Sequence, residues 1–213
     1  MNRLSRRQRI VILGTVAFGV FLIFGGAALA ILQPADQDFS PFTMQITEWD
    51  AALASTPQGV IIPVTRVSRL EWTNSRNWKT TLISHSADSR YEGSTHQVTD
   101  QGSSTFDGLT RHTFGWLFGN EQGREVPNRW LIPGLIDKLA LQGFSRTENL
   151  ATGTVIFRQG SRRVVVDPNS NSKEVTTETI ATYDLKSRLP LSVQVLHDGQ
   201  LTESTEFVVL SSP

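Results

Sequence analysis

The chain has 213 residues, and its 20 basic and 20 acidic side chains balance to a net charge of zero. The balance is uneven: Arg3, Arg6, Arg7 and Arg9 open the chain, whereas all 20 acidic residues follow Leu32 together with 16 of the basic ones, so that part sits near −4. A mildly acidic body lacks the basic stripe that nucleic acid demands, and the absence of cysteine excludes disulfides, thiol catalysis and cysteine-built zinc sites.

Residues 1–9 read as a basic cytoplasmic tail. Ile10–Leu32 then runs without a single charge. At the helical rise it reaches about 34 Å, against a hydrocarbon core of about 30 Å. Backbone polar groups in that core need internal partners, so a single transmembrane helix is expected, with the arginine-flanked end inside. We read it as an uncleaved signal anchor in the cytoplasmic membrane that holds the rest of the chain outside the cytoplasm. Ala28-Leu29-Ala30 supplies a competing reading as a signal-peptidase site, which would release a periplasmic or secreted protein. The apolar stretch before it exceeds the roughly 7–15 residues of a signal peptide. No Asn-X-Ser/Thr sequon occurs, which leans towards a bacterial protein.

Residues 33–42, with Pro34, Asp36, Asp38 and Pro41, form a linker, and residues 43–213 form the exported domain. In 43–55 the spacing of Met44, Ile46, Trp49, Ala52 and Leu53 predicts a short amphipathic helix. From Val60 the texture turns β-branched, and Pro63 places the first strand at an edge or a bulge. Strands are expected over 77–86, 90–99, 103–111 and 112–118, a spacing that suits an antiparallel meander. A loop over 120–132 leads to a helix over 134–142, opened by Pro133 and stopped by Gly143. Gly160-Ser161 marks a hairpin between strands 152–159 and 162–166. A turn-rich loop at 167–172 precedes strands over 174–183, 189–196 and 201–210, the last two joined at His197–Gln200. The expected fold is α+β: one N-terminal transmembrane helix, then a curved antiparallel sheet of about nine strands with two short helices.

Motifs for catalysis are absent. There is no HExxH, no GxSxG and no glycine-rich phosphate loop. His85, His96, His112 and His197 stand too far apart to suggest a metal site, and Glu48-Asp50 and Glu203-Glu206 read as solvated faces. We therefore expect no enzyme, no catalytic residue, no metal and no cofactor. Aromatic residues are more telling. Burial in the core is their plainer reading; the sharper one is the lining of an apolar cavity, as hydrophobic-ligand sites need. The candidates are Trp78, Phe106, Phe114, Trp116, Phe118 and Trp130. The stretch Phe114–Gly119 could equally be an apolar lip on the membrane surface.

The C-terminal stretch Tyr183-Asp184-Leu185-Lys186-Ser187-Arg188-Leu189-Pro190-Leu191 places an aspartate at a strand end, then a polar turn, then Leu-Pro-Leu opening the next strand. With the hairpin at His197–Gln200 and the strand end Glu206–Leu210, it resembles the end of the LolA-like superfamily. That group includes periplasmic lipoprotein carriers, RseB-like sensor domains and LppX-like lipoproteins. The resemblance implies a half-open β-barrel closed by helices over an apolar cavity, and binding of acyl chains or protein partners without catalysis. An anchored version would hold or sense rather than ferry. The expected function is thus a membrane-anchored extracytoplasmic binding domain for a lipid, lipoprotein or other amphiphile. The alternative is an envelope sensor or protein-interaction domain with no ligand cavity.

Overall fold

The computed structural model describes residues 38–55, 61–107, 110–115, 126–166 and 172–212. The expected anchor at Ile10–Leu32 lies outside them; among the described residues no helix is long and apolar enough to cross a membrane.

Among the described residues eleven strands build one antiparallel sheet: β1 (Phe42–Ser55), β2 (Ile61–Asn74), β3 (Asn77–His85), β4 (Thr95–Thr99), β5 (Gly102–Phe106), β6 (Arg111–Gly115), β7 (Ser145–Asn149), β8 (Thr154–Val166), β9 (Ser172–Asp184), β10 (Pro190–His197) and β11 (Gln200–Ser211). Their order is β6-β5-β4-β3-β2-β1-β11-β10-β9-β8-β7. Two meanders, β1 to β6 and β7 to β11, are therefore joined where the first and last strands pair, with Ile46 opposite Phe207. The edges of the sheet are β6 and β7, which are consecutive in sequence. In a flat sheet they would lie about 48 Å apart, at about 4.8 Å per strand.

The chain between them supplies the cover. One face carries Met44, Ile46, Leu70, Trp72, Trp78, Val98, Val155, Phe157, Tyr183, Val193 and Phe207, all buried. Against it pack Trp130, Leu131, Leu135, Ile136 and Leu139. Helix α1 (Leu135–Lys138) has four residues, extended by a 3-10 turn at Ala140–Gln142. A cover this small reaches residues from β4 to β8 because a large twisted sheet coils. The Tyr183 hydroxyl donates to the Trp130 carbonyl at 3.3 Å. Burial pushes the Tyr183 phenol above its ordinary range, so it remains a donor. Gln159 donates to the Gln142 carbonyl at 2.8 Å, and Arg188 pairs with Asp137.

The fold is thus all-β, and the α+β expectation is corrected in three places. Residues 43–55 form β1 rather than a helix: Phe42, Met44 and Ile46 alternate with Thr43, Gln45 and Thr47, and the period of two prevails once both sides of the strand find partners. The helix at 134–142 shrinks to one turn plus a 3-10 turn, entered through Gly134 at φ 73° and left through Gly143 at φ 88°, backbone angles that suit glycine. Gly160-Ser161 is no hairpin. Both residues continue β8, with Gly160 opposite Glu178 and Ser161 opposite Thr177 on β9. Pro63 falls where the β1–β2 register shifts, between Ile62 opposite Ala54 and Val64 opposite Asp50. It therefore occupies a bulge, as one of its two expected places. β7, whose Ser145–Asn149 sequence is polar throughout, was not foreseen.

If the cover is core, Leu139→Ala will lower stability by about 2–5 kcal/mol through cavity formation. Leu141→Ala, at a residue 88% exposed, will stay within about 0.5 kcal/mol. Urea unfolding of the two variants checks the contrast.

Candidate functional site

Along β1 the inward face changes character after Ile46. Phe42, Met44 and Ile46 are buried, and the next inward position is Glu48. Register extends this step across the sheet: Val193, Thr205, Glu48, Arg66 and His85 form one cross-strand row over β10, β11, β1, β2 and β3. On one side of the row the face is apolar and sealed by the cover. On the other, Asp50 and Glu203 are flanked by the buried Val64 and Val195.

Two clefts adjoin along this row and share Glu48 and Arg66 as a common wall. The first, about 390 Å3, lies towards β11 and the 127–130 segment and contains Asp50, Asn128, Arg129 and Glu203. The second, about 380 Å3, lies over β2 to β5. Its lining mixes apolar Leu82 and Phe106 and the Tyr91 ring with polar Arg66, His85, Ser94 and His96. A smaller hollow of about 290 Å3 opens on the other side of Trp130, floored by Leu135, Leu139 and Phe144.

The electrostatics of the shared wall are asymmetric. Glu48 has both oxygens engaged: Oε1 accepts from Asn128 Nδ2 at 3.3 Å, and Oε2 faces Arg66 at 3.4 Å. Arg66 is half-exposed, and among the described residues Glu48 is its one side-chain partner. Arg129 lies over the Trp130 ring, 5.4 Å from its centroid, and reaches Glu203 at 3.9 Å.

The loop between β3 and β4 forms the outer wall of the second cleft. Its 3-10 turn, Ser89–Tyr91, is capped by Asp88, whose carboxylate accepts from the Arg90 backbone and side chain. The Asp88 amide donates to His85 Nδ1 at 3.0 Å. That bond requires an acceptor at Nδ1, so in the neutral imidazole the proton sits on Nε2. Tyr91 leans over the same ring at 6.3 Å. His96 Nδ1 meets Thr105 Oγ1 at 2.6 Å, and its ring lies 5.2 Å from that of Trp78.

The six aromatic candidates separate. Phe106 lines the second cleft. Trp78 is buried beneath it, in the core. Trp130 belongs to the cover and borders the first cleft and the small hollow. Phe114 occupies a β6 position opposite Ser103; its side chain, and Trp116 and Phe118 entirely, lie outside the described residues. Glu48, Arg66, His85, Leu82 and Tyr91 were missed as site residues. The usable signal was parity on β1, an apolar stripe ending on a carboxylate, which spacing of two in the acid pair Glu48-Asp50 obscured. Among the described residues no three His, Cys, Asp or Glu side chains gather to hold a metal.

The hydrogen bond from Arg90 lowers the Asp88 carboxyl from 3.8 to about 2. A depressed carboxyl stabilises the folded form above its unfolded value, and that contribution disappears as pH falls from 3.8 through about 2. Carboxyl NMR should place the Asp88 midpoint near 2, and Arg90→Ala should raise it towards the ordinary carboxylate range.

No protein-family model matches the chain, and no curated protein matches it in sequence. Among solved structures it is similar to a LolA superfamily protein from Nitrosomonas europaea, at 9% identity and a TM-score of 0.35, over 85% of this chain and 91% of that one. It is also similar to a beta-barrel-like domain of unknown function from Brucella abortus, at 12% identity and a TM-score of 0.28, over 81% of this chain and 98% of that one. A LolA superfamily protein thus stands among the similar solved structures, the family that the C-terminal hairpin resembles.

Proposed function

We propose that the protein is a membrane-anchored, extracytoplasmic binding domain for an amphiphilic ligand, taken into the cleft over β2 to β5. The observation that carries this reading is the composition of that cleft: Leu82, Tyr91 and Phe106 line it together with Arg66 and His85. Its volume of about 380 Å3 falls within the roughly 300–1,000 Å3 of small-ligand sites. The most apolar part of the inner face is filled by the protein's own Leu131, Leu135 and Leu139. The ligand therefore rests one apolar portion in an open cleft instead of being swallowed whole. The charge-free Ile10–Leu32 and its flanking arginines support an anchor in a bacterial cytoplasmic membrane, N-terminus inside.

A second reading, recognition of an envelope protein, is favoured by the open sheet. β6 and β7 each pair with one neighbour among the described residues, and a free strand side is a template for an added strand.

Native mass spectrometry of the full chain released from its own membrane separates the two: the first reading expects a co-purifying amphiphile, the second a protein. For the cleft itself, Phe106→Asp should weaken uptake of the neutral dye Nile red by about tenfold, roughly 1.4 kcal/mol. Unchanged uptake by the folded variant would remove the cleft from the reading.

A further inference from the structure

Resting on that reading, we propose that the cleft over β2 to β5 selects an amphiphile with an anionic oxygen headgroup, held between Arg66 and His85. The inference comes from which polar groups in the cleft are already engaged.

The acceptors are engaged. Both oxygens of Glu48 have partners, in Asn128 and Arg66. Asp107, at the far rim, accepts from the Thr110 amide at 2.8 Å and from the Thr110 hydroxyl at 3.3 Å. The donors are not. A guanidinium carries five N–H groups, and Arg66 meets a single carboxylate oxygen, at 3.4 Å. The Asp88 amide occupies His85 Nδ1 and so places the ring proton on Nε2; among the described residues nothing accepts from it. The Ser94 hydroxyl, which can donate as well as accept, also lines this cleft, and its oxygen is buried without a hydrogen-bond partner. A ligand that completes this wall must bring acceptors.

Charge and shape agree with that requirement. A carboxylate or phosphate monoester matches the forked donors of arginine, and such charge-assisted bonds are about twice as strong as neutral ones. Leu82, Tyr91 and Phe106 line the same cleft, so it offers apolar contact to the tail of a single-chain amphiphile as well as donors to its head. Glu48 then acts as a competitor. It holds Arg66 in place while the cleft is empty, and an incoming anion shares or displaces that contact. Because Arg66 borders both clefts, the headgroup sits at their junction.

The test uses the full chain in nanodiscs, with empty discs as the blank, and titrates decanoate, decyl phosphate and decanol by calorimetry. Wild type should bind at least one of the two anions about tenfold more tightly than decanol, and their ranking tells carboxylate from phosphate. Arg66→Gln should abolish that preference and leave decanol within about twofold. Glu48→Gln should strengthen anion binding by about threefold, an effect opposite in sign to any loss through misfolding. Equal binding of all three probes by wild type, or a preference that survives Arg66→Gln, would overturn the assignment. If no decyl probe binds while Nile red still responds to Phe106→Asp, the binding reading stands and the anionic headgroup falls. If Nile red fails as well, both fall.

Discussion

The two edges of this sheet are consecutive in sequence, and the chain must travel from one to the other. That constraint shapes the whole domain. Residues after β6 cannot hydrogen-bond their way to β7, because nine strands stand between them. The described part of the crossing chain packs on the inner face with Trp130, Leu131, Leu135, Ile136 and Leu139. An antiparallel sheet needs one face removed from water, and here the connection performs the burial that packed helices perform in other folds. Its attachments are chosen accordingly. The Trp130 carbonyl meets the Tyr183 hydroxyl deep inside, and Asn128 and Arg129 reach Glu48 and Glu203 at the polar margin.

The same crossing bears on where the proposed ligand would sit. Its described residues cover the apolar part of the inner face, and Asn128 meets the row at Glu48. The second cleft lies on the Ile46 side of that row: Leu82 stands opposite Ser68, and Ser68 opposite Ile46, with Phe106 joining from β5. The site is thus what the cover leaves exposed: a mixed cleft, narrower in chemistry than a wholly apolar cavity.

How far this was legible in the residues follows from the range of the forces involved. The hairpin at His197–Gln200 is local, since Asp198 and Gly199 take the positive φ angles of 50° and 79° that a tight turn needs, and it was readable. So was the stop at Gly143. β1 was misread because Met44, Ile46, Trp49 and Leu53 satisfy a helical spacing nearly as well as an alternating one, and only pairing with β2 and β11 decides between them. Gly160 was misread for the complementary reason: a local turn signal yields when β9 offers a continuous ladder on one side. The cleft was the least legible part. Glu48, Arg66 and His85 lie on three strands, and their alignment exists only in the register. Phe106 was found because an aromatic residue advertises itself; an arginine on a strand does not.

The pairing of β1 with β11 has a consequence for how the chain becomes folded. Ile46 pairs with Phe207 of the last strand, so the central seam cannot close before β11 has been synthesised. Contacts of such long sequence separation slow folding, and each meander must wait with one side of its innermost strand unpaired. Until β11 arrives, β1 presents a free backbone edge beside Met44 and Ile46, the kind of surface that attracts other chains. The ribosome releases that edge early and its partner late. A chaperone or a slow rate of synthesis has the most to protect in that interval, and truncation of the last dozen residues would leave the seam open for the lifetime of the molecule.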